Sequence, residues 1–367
     1  MATKQQLKAA TERIASVRKE MKAAGIDALI VSHTPQLRYL FGFSGSMGMG
    51  IISQRDLYFF TNDLYAVQVQ KEVYALDGLK TIIDRDFWGA AAQRAIAKKW
   101  KTVGFDPTRT MVSGLKAMKK AMSPATLKEV RGLVEKITMV KTAGEIKDIS
   151  VAAQLASTTY EHLLNFVKPG MTELEVATFI ASTSRQLGSE KDAFDIIVVA
   201  AARSAMPHGR AGASVIKSGD VVTVDFGCCW NGMYSDMTRT FAVGTPSKKV
   251  VDVFAVLYDA HLSALDAAVS GVNAAALDAA ARDLITKAGY GDFFKHSLGH
   301  GLGYEVHEDP RISWANTKQE VPTNCVITIE PGIYLPGKFG MRIEDDVVVT
   351  PSGADILTTA PRELVIV

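Results

Sequence analysis

Three cysteines in 367 residues, two adjacent (Cys228, Cys229) and one alone (Cys325), are too few for a disulfide framework and lack C-x-x-C metal spacing. A reducing compartment is the expectation. Long apolar runs are missing as well. The longest, Ile196 to Ala202, stops at Arg203, far short of the roughly 20 residues a membrane-spanning helix needs. The N-terminal stretch interleaves Lys, Arg and Glu with Leu7, Ile14, Val17 and Met21 at helical spacing, and holds no apolar core of a secretion signal. A cytoplasmic protein without membrane contact is therefore predicted. Charge of one sign is also lacking overall, at a net +2, although residues 1–130 carry 20 basic against 11 acidic side chains. Those basic residues are scattered, clustering only at Lys98, Lys99, Lys101 and at Lys116, Lys119, Lys120. They read as a solvated surface, or one facing the acidic remainder across a subunit contact, not as a nucleic-acid site.

What is present is an ordinary globular composition, 47% hydrophobic and 22% charged, in a chain long enough for two domains. An amphipathic helix leads through Ala24-Gly25-Ile26-Asp27 into an apolar strand at Ala28 to Val31. Strand-like runs follow at Met49 to Ile52, Leu57 to Phe60 and Thr102 to Asp106, with a helix from Ala90 to Lys99. This α/β domain is expected to span residues 1–130. Thr142 followed by Glu145 is a capping-box pair opening a helix in a second domain, 131–367, and Lys168-Pro169-Gly170 separates it from the next helix.

The second domain contains an internal echo. Val221-Val222-Thr223-Val224-Asp225-Phe226-Gly227 is matched 105 residues later by Val326-Ile327-Thr328-Ile329-Glu330-Pro331-Gly332. A second acid-bearing strand follows each: Asp236 precedes Met237-Thr238-Arg239, and Arg342, Glu344 and Asp346 alternate along Met341 to Asp346. Two similar halves, each a helix pair followed by strands, are predicted, with helices near Val250 to Val269 and Ala274 to Ala288 between them.

Acids on otherwise apolar strands are unfavourable unless something positive neutralises them. Asp225, Asp236, Glu330 and Glu344 bring four negative charges, which two divalent cations would balance. His300, between Gly299 and Gly301, has a backbone free to approach its neighbours and an imidazole free to ligate. Each residue also has a plainer reading. Asp225 could end a turn, Asp236 could pair with Arg239, Glu344 could pair with Arg342, and His296 could be a core histidine. The joint occurrence of four acids in two echoing strand pairs is what points to metal-assisted hydrolysis.

The stretches SAMPHGR (204–210), SGDVVTVDFG (218–227), YSDMTRTFAVG (234–244), HSLGHGLGYEVHEDP (296–310), ITIEPGIY (327–334) and MRIEDDVVVT (341–350) resemble the proline-directed pita-bread metallopeptidases, the Xaa-Pro aminopeptidase and prolidase group. The resemblance implies an α/β accessory domain of creatinase N-terminal type, then an α+β pita-bread catalytic domain with two similar halves. It further implies Asp225, Asp236, His300, Glu330 and Glu344 as ligands of two divalent ions, with Mn²⁺ ahead of Co²⁺, Zn²⁺ or Fe²⁺. His208, His307 and Glu330 would be catalytic, and His208, His296, His307, Tyr334 and Arg342 would contact substrate. The implied reaction is attack by a hydroxide held between the ions on an Xaa-Pro bond of a dipeptide or short peptide, with His307 on the oxyanion and Glu330 carrying the proton. A homodimer is implied. Methionine-aminopeptidase-like cleavage, or a non-catalytic binding protein that keeps its metals, are the alternatives.

Overall fold

Thr3 accepts the Gln6 N–H and the Gln6 side chain accepts the Thr3 N–H, a reciprocal cap that starts helix Lys4–Ala23. The helix buries Ala10, Ile14, Val17 and Met21, four positions on one face. Gly25, at φ +64°, then turns the chain into strand Ala28–Val31. Residues 3–367 are described in this computed structural model, which divides into two units meeting in sequence at Thr138 and Met139.

The first unit is built on a six-stranded mixed sheet in the order Leu79–Ile83, Leu57–Thr61, Met49–Ser53, Ala28–Val31, Thr102–Phe105, Thr126–Glu129. Ala28–Val31 runs antiparallel to Met49–Ser53 and parallel to Thr102–Phe105. The two edge strands escape the sequence pattern because their side chains are largely exposed and they carry no apolar run. The unit also runs past residue 130. Gly132 donates to Asp106, and Gln36 donates to Glu135 at the start of the short helix Glu135–Thr138, so these residues belong with the first unit.

In the second unit, helix Ala143–Phe166 opens on the Thr142/Glu145 box. Thr142 N–H lies 2.6 Å from Glu145 Oε2, and Glu145 N–H lies 3.3 Å from Thr142 Oγ1. Thr142→Ala is expected to lower unfolding free energy by about 1 kcal/mol, read as a shift in the urea midpoint at constant slope. Gly170, at φ +97°, ends the connection to helix Glu173–Leu187.

Strands Ile197–Ala200, Val221–Phe226 and Met237–Ala242 form one sheet, with Val221–Phe226 in the centre. Helices Lys248–Ala267 and Ala274–Lys287 then precede a second sheet ordered Glu308–Ile312, Gly299–Gly301, Val326–Ile329, Asp345–Thr350, Gly353–Ile356. Each half has its own core: Tyr160, Val224, Phe226 and Phe241 in the first, Leu257, Leu277, Ile327 and Val347 in the second. The two-half reading of the echo therefore holds.

One detail differs. Arg342, Glu344 and Asp346 do not alternate along one strand: Phe339–Arg342 pairs with Gly332–Leu335, Asp345–Thr350 pairs with Val326–Ile329, and Glu344 lies at the junction. The chain changes sheet there, and Glu344 N–H donates to Thr238 O of the first half (3.1 Å).

Candidate metal centre

Asp225 and Thr238 are cross-strand neighbours, and Thr223 faces Thr240 two positions along. Period-two alternation places Asp236 on the same side as Thr238, so one face of this sheet is polar. From the other half, His300 projects from Gly299–Gly301. A Cβ on Gly299 would lie 1.9 Å from Thr328 O, and one on Gly301 would lie 2.3 Å from Asp309 O. The flanking glycines thus let the neighbouring strands close on the histidine's backbone.

Asp236, His300 and Glu344 are buried, with ligand atoms all within 4.8 Å of one another. His300 Nε2 lies 3.8 Å from Asp236 Oδ2 and 3.5 Å from Glu330 Oε1. His300 Nδ1 is 3.0 Å from Gly301 O, a contact made by an Nδ1–H donor, which leaves the Nε2 lone pair directed toward the acids. Burial, with His307 adding to it, holds the imidazole down at about 3, so the ring is neutral. Asp225, Asp236, His300, Glu330 and Glu344 all line one cavity of about 500 Å³ together with His208, His296, His307 and Arg342.

The acids are electrostatically frustrated. Burial raises Glu344 to about 8, with Asp225 next in effect. Burial and Glu344 likewise push Asp236 and Glu330 well above the carboxylate range. Asp225 Oδ1 and Asp236 Oδ1 are buried without a hydrogen-bond partner. Orphaned carboxylate oxygens beside one neutral imidazole form a donor set that fits divalent cations.

The plainer ion-pair readings are not what the chain does. Arg239 pairs with Asp345 (2.7 Å) and donates to Glu344 O (2.6 Å), so it fixes the backbone of an acid on the cavity and leaves Asp236 alone. Arg342 pairs with Asp225 (2.6 Å) and also donates to Tyr334 Oη (2.7 Å) and Thr238 Oγ1 (2.9 Å). Tyr334 Oη is in turn 2.9 Å from His296 Nε2. Arg342, Tyr334 and His296 therefore form one hydrogen-bonded chain beside the acids. His208 and His307 are exposed at the cavity, and the His307 ring stacks obliquely near His300 at 4.4 Å.

Residues 147–351 match Metallopeptidase family M24, and residues 13–140 match the Creatinase/Prolidase N-terminal domain. The chain belongs to metallopeptidase family M24. This M24 peptidase is 34% identical over 353 residues to Xaa-Pro dipeptidase of Pyrococcus furiosus, covering 96% of this chain and 99% of that one. Among solved structures, an Xaa-Pro dipeptidase from Bacillus anthracis superposes with a TM-score of 0.93 at 37% identity, covering 98% and 100% of the two chains. An X-Pro aminopeptidase from Thermotoga maritima gives 0.88 at 36%, covering 95% and 100%. The fold of this M24 peptidase is accordingly a creatinase-type N-terminal domain followed by a pita-bread catalytic domain.

Several contributors at the site carry no motif prominence. Thr238 donates to Glu344 Oε2 (2.7 Å), and Asp346 accepts the Asp236 N–H (3.0 Å). Thr238 had a legible signal, its two-residue spacing from Asp236. Asp346 had a misleading one, since reading an unbroken strand put it beside Glu344. Phe194, Asp195, Ile197, Pro207, Arg210 and Arg311 also line the cavity.

Proposed function

We propose that this M24 peptidase hydrolyses the bond between an N-terminal residue and a following proline, with two divalent ions held by Asp225, Asp236, His300, Glu330 and Glu344. The carrying observation is the convergence of these side chains from both halves on one cavity, with carboxylate oxygens lacking any partner. The substrate class is supported by relatives named Xaa-Pro dipeptidase and X-Pro aminopeptidase.

Bound divalent ions would supply Lewis acidity, making hydroxide available near neutral pH and polarising the scissile carbonyl. The side chains do the rest. Glu330 borders the cavity, where a carboxylate can take a proton from the attacking water and deliver it to the proline nitrogen. His307 donates to the developing oxyanion, and His208 holds the carboxyl side of the proline residue. In the Arg342–Tyr334–His296 chain, Arg342 orients Asp225 and, with His296, borders the cavity, whereas buried Tyr334 links the two from behind and lies off the lining where the resemblance implied substrate contact. Phe194, Ile197 and Pro207 give the cavity an apolar wall suited to a pyrrolidine ring, whose tertiary amide brings no N–H to satisfy.

Mn²⁺ is the proposed native ion, the oxygen-rich donor set being its support. A homodimer in the cytoplasm is the proposed setting, consistent with three free, buried cysteines. Among the described residues, no helix is long and apolar enough to cross a membrane.

The test is hydrolysis by Mn²⁺-loaded protein of Xaa-Pro dipeptides, Xaa-Pro-Xaa tripeptides and matched peptides with Ala in place of Pro. Cleavage confined to the proline-containing peptides is expected. Preference for Met-Ala peptides would favour methionine-aminopeptidase-like activity, and ion binding without cleavage of any peptide would favour a binding scaffold.

A further inference from the structure

We propose that the buried pair Lys141 and Glu308 are positioning residues that hold the loop bearing His307 in its working place. This rests on the reading of His307 as a substrate-contacting residue.

Lys141 is fixed at its backbone from two directions. Its N–H donates to Asn324 O (2.9 Å), its neighbour Val140 bridges Cys325, and the next residue, Thr142, caps helix Ala143–Phe166. The side chain therefore starts from a rigid point. Its ammonium lies 2.8 Å from Glu308 Oε2, with only 1% of the Lys141 side chain and 6% of the Glu308 side chain exposed. Glu308 Oε1 accepts the Glu305 N–H (3.0 Å), which closes a tight loop across Val306 and His307. The Lys141 stem fills the space over Gly303, where an added Cβ would lie 2.7 Å from Lys141 Cε. Gly303 O in turn accepts the Tyr234 N–H (2.9 Å). His307 sits one residue before strand Glu308–Ile312, with Glu308 ion-paired to the lysine at one end of the turn and Gly303 packed against its stem at the other.

A buried ion pair gives little net stability, because desolvating both charges offsets their attraction. What this one does supply is a single geometry for an otherwise exposed imidazole. The rest of the turn lies in an irregular stretch between strands Gly299–Gly301 and Glu308–Ile312, where the His300 ring, 4.4 Å from that of His307, meets it on the cavity side and the Lys141–Glu308 pair anchors it from the buried side. Displacement of a contacting group by about 1 Å is enough to reduce rates about 100-fold.

The experiment is a double-mutant cycle on the Mn²⁺-loaded full chain. Lys141→Met and the paired replacement Lys141→Met/Glu308→Met are each made in the wild-type and His307→Ala backgrounds. The paired replacement leaves no unpaired buried charge, so it covers the case in which the single variant does not fold. Expected are an about 10- to 100-fold loss of kcat in the wild-type background, Mn²⁺ affinity within about twofold of wild type, and less than about threefold further loss in the His307→Ala background. Equal losses in both backgrounds would overturn the proposal, as a general structural role lowers both alike.

Amide hydrogen exchange gives a readout independent of turnover. Amides of residues 303–308 should exchange about tenfold faster in the paired variant, while those of strand Val326–Ile329 are unchanged. Unchanged exchange in the turn would overturn the proposal even if the peptidase reading stands. Faster exchange in a protein that cleaves no Xaa-Pro bond would refute that reading, and with it the catalytic consequence, while showing that the pair holds the turn.

Discussion

Glu330→Gln is expected to lower kcat for Xaa-Pro hydrolysis by about 10²- to 10⁴-fold, the range of a lost general acid–base group. The replacement keeps the size of the side chain and one carbonyl oxygen, so the position 3.5 Å from His300 Nε2 can still be filled. What disappears is the ability to accept a proton and hand it on. A proline nitrogen leaves as a secondary amine and must be protonated as the bond breaks, so the deficit falls on kcat and leaves KM little changed. Because Glu330 also stands among the proposed ligands, ion content is measured alongside turnover at saturating Mn²⁺. A variant with full ion content and kcat within threefold of wild type would exclude the proton-carrying role.

Metal removal should produce the second large effect, on stability, and its sign follows from the acids. Glu344 has an ordinary value near 4.5 that the fold raises to about 8, and Asp236 and Glu330 move in the same direction. Groups raised in this way bind protons more tightly in the folded state than in the unfolded state. The stabilisation they give is fully present below the unfolded value, is lost as pH rises toward 8, and is gone above it. Metal-free protein is therefore expected to become less stable between pH 5.5 and 8.5. At about 1.4 kcal/mol per pH unit for one group, the loss amounts to several kcal/mol, or roughly 10 °C in Tm for a domain of this size. Saturating Mn²⁺ should remove most of that slope, because ion binding replaces the protons, and calorimetric titration at pH 7 should register proton release. A flat pH dependence without metal, or no proton release on loading, would contradict the frustrated-acid picture.

How much of this was legible in the chain varies by residue. The Thr142/Glu145 box and the apolar faces around Ile14 and Ile149 are local patterns, and local patterns survive into the structure. The four acids were read from the echo, because repeated strands carry their geometry with them, and His300 from the glycines on either side of it. Ion pairs were not legible. Arg342 meets Asp225 across 117 positions and Lys141 meets Glu308 across 167, distances over which sequence spacing carries no geometric information. The weighed pairings of Arg239 with Asp236 and of Arg342 with Glu344 failed for that reason: each arginine reaches an acid supplied by the other half. Edge strands Leu79–Ile83 and Thr126–Glu129 were missed because solvent on their exposed side chains erases the alternation that marks a half-buried strand.

Asp225 and Asp236 belong to one half of the catalytic domain, and His300, Glu330 and Glu344 to the other, while each half keeps a separate core. The spacing between the halves would thereby be written into the geometry of the proposed ligands. If the proposed ions are bound, a disturbance that slides one half against the other, even from a distant surface, is expected to weaken ion retention before unfolding begins, so that the centre would act as a molecular ruler for the alignment of its own scaffold.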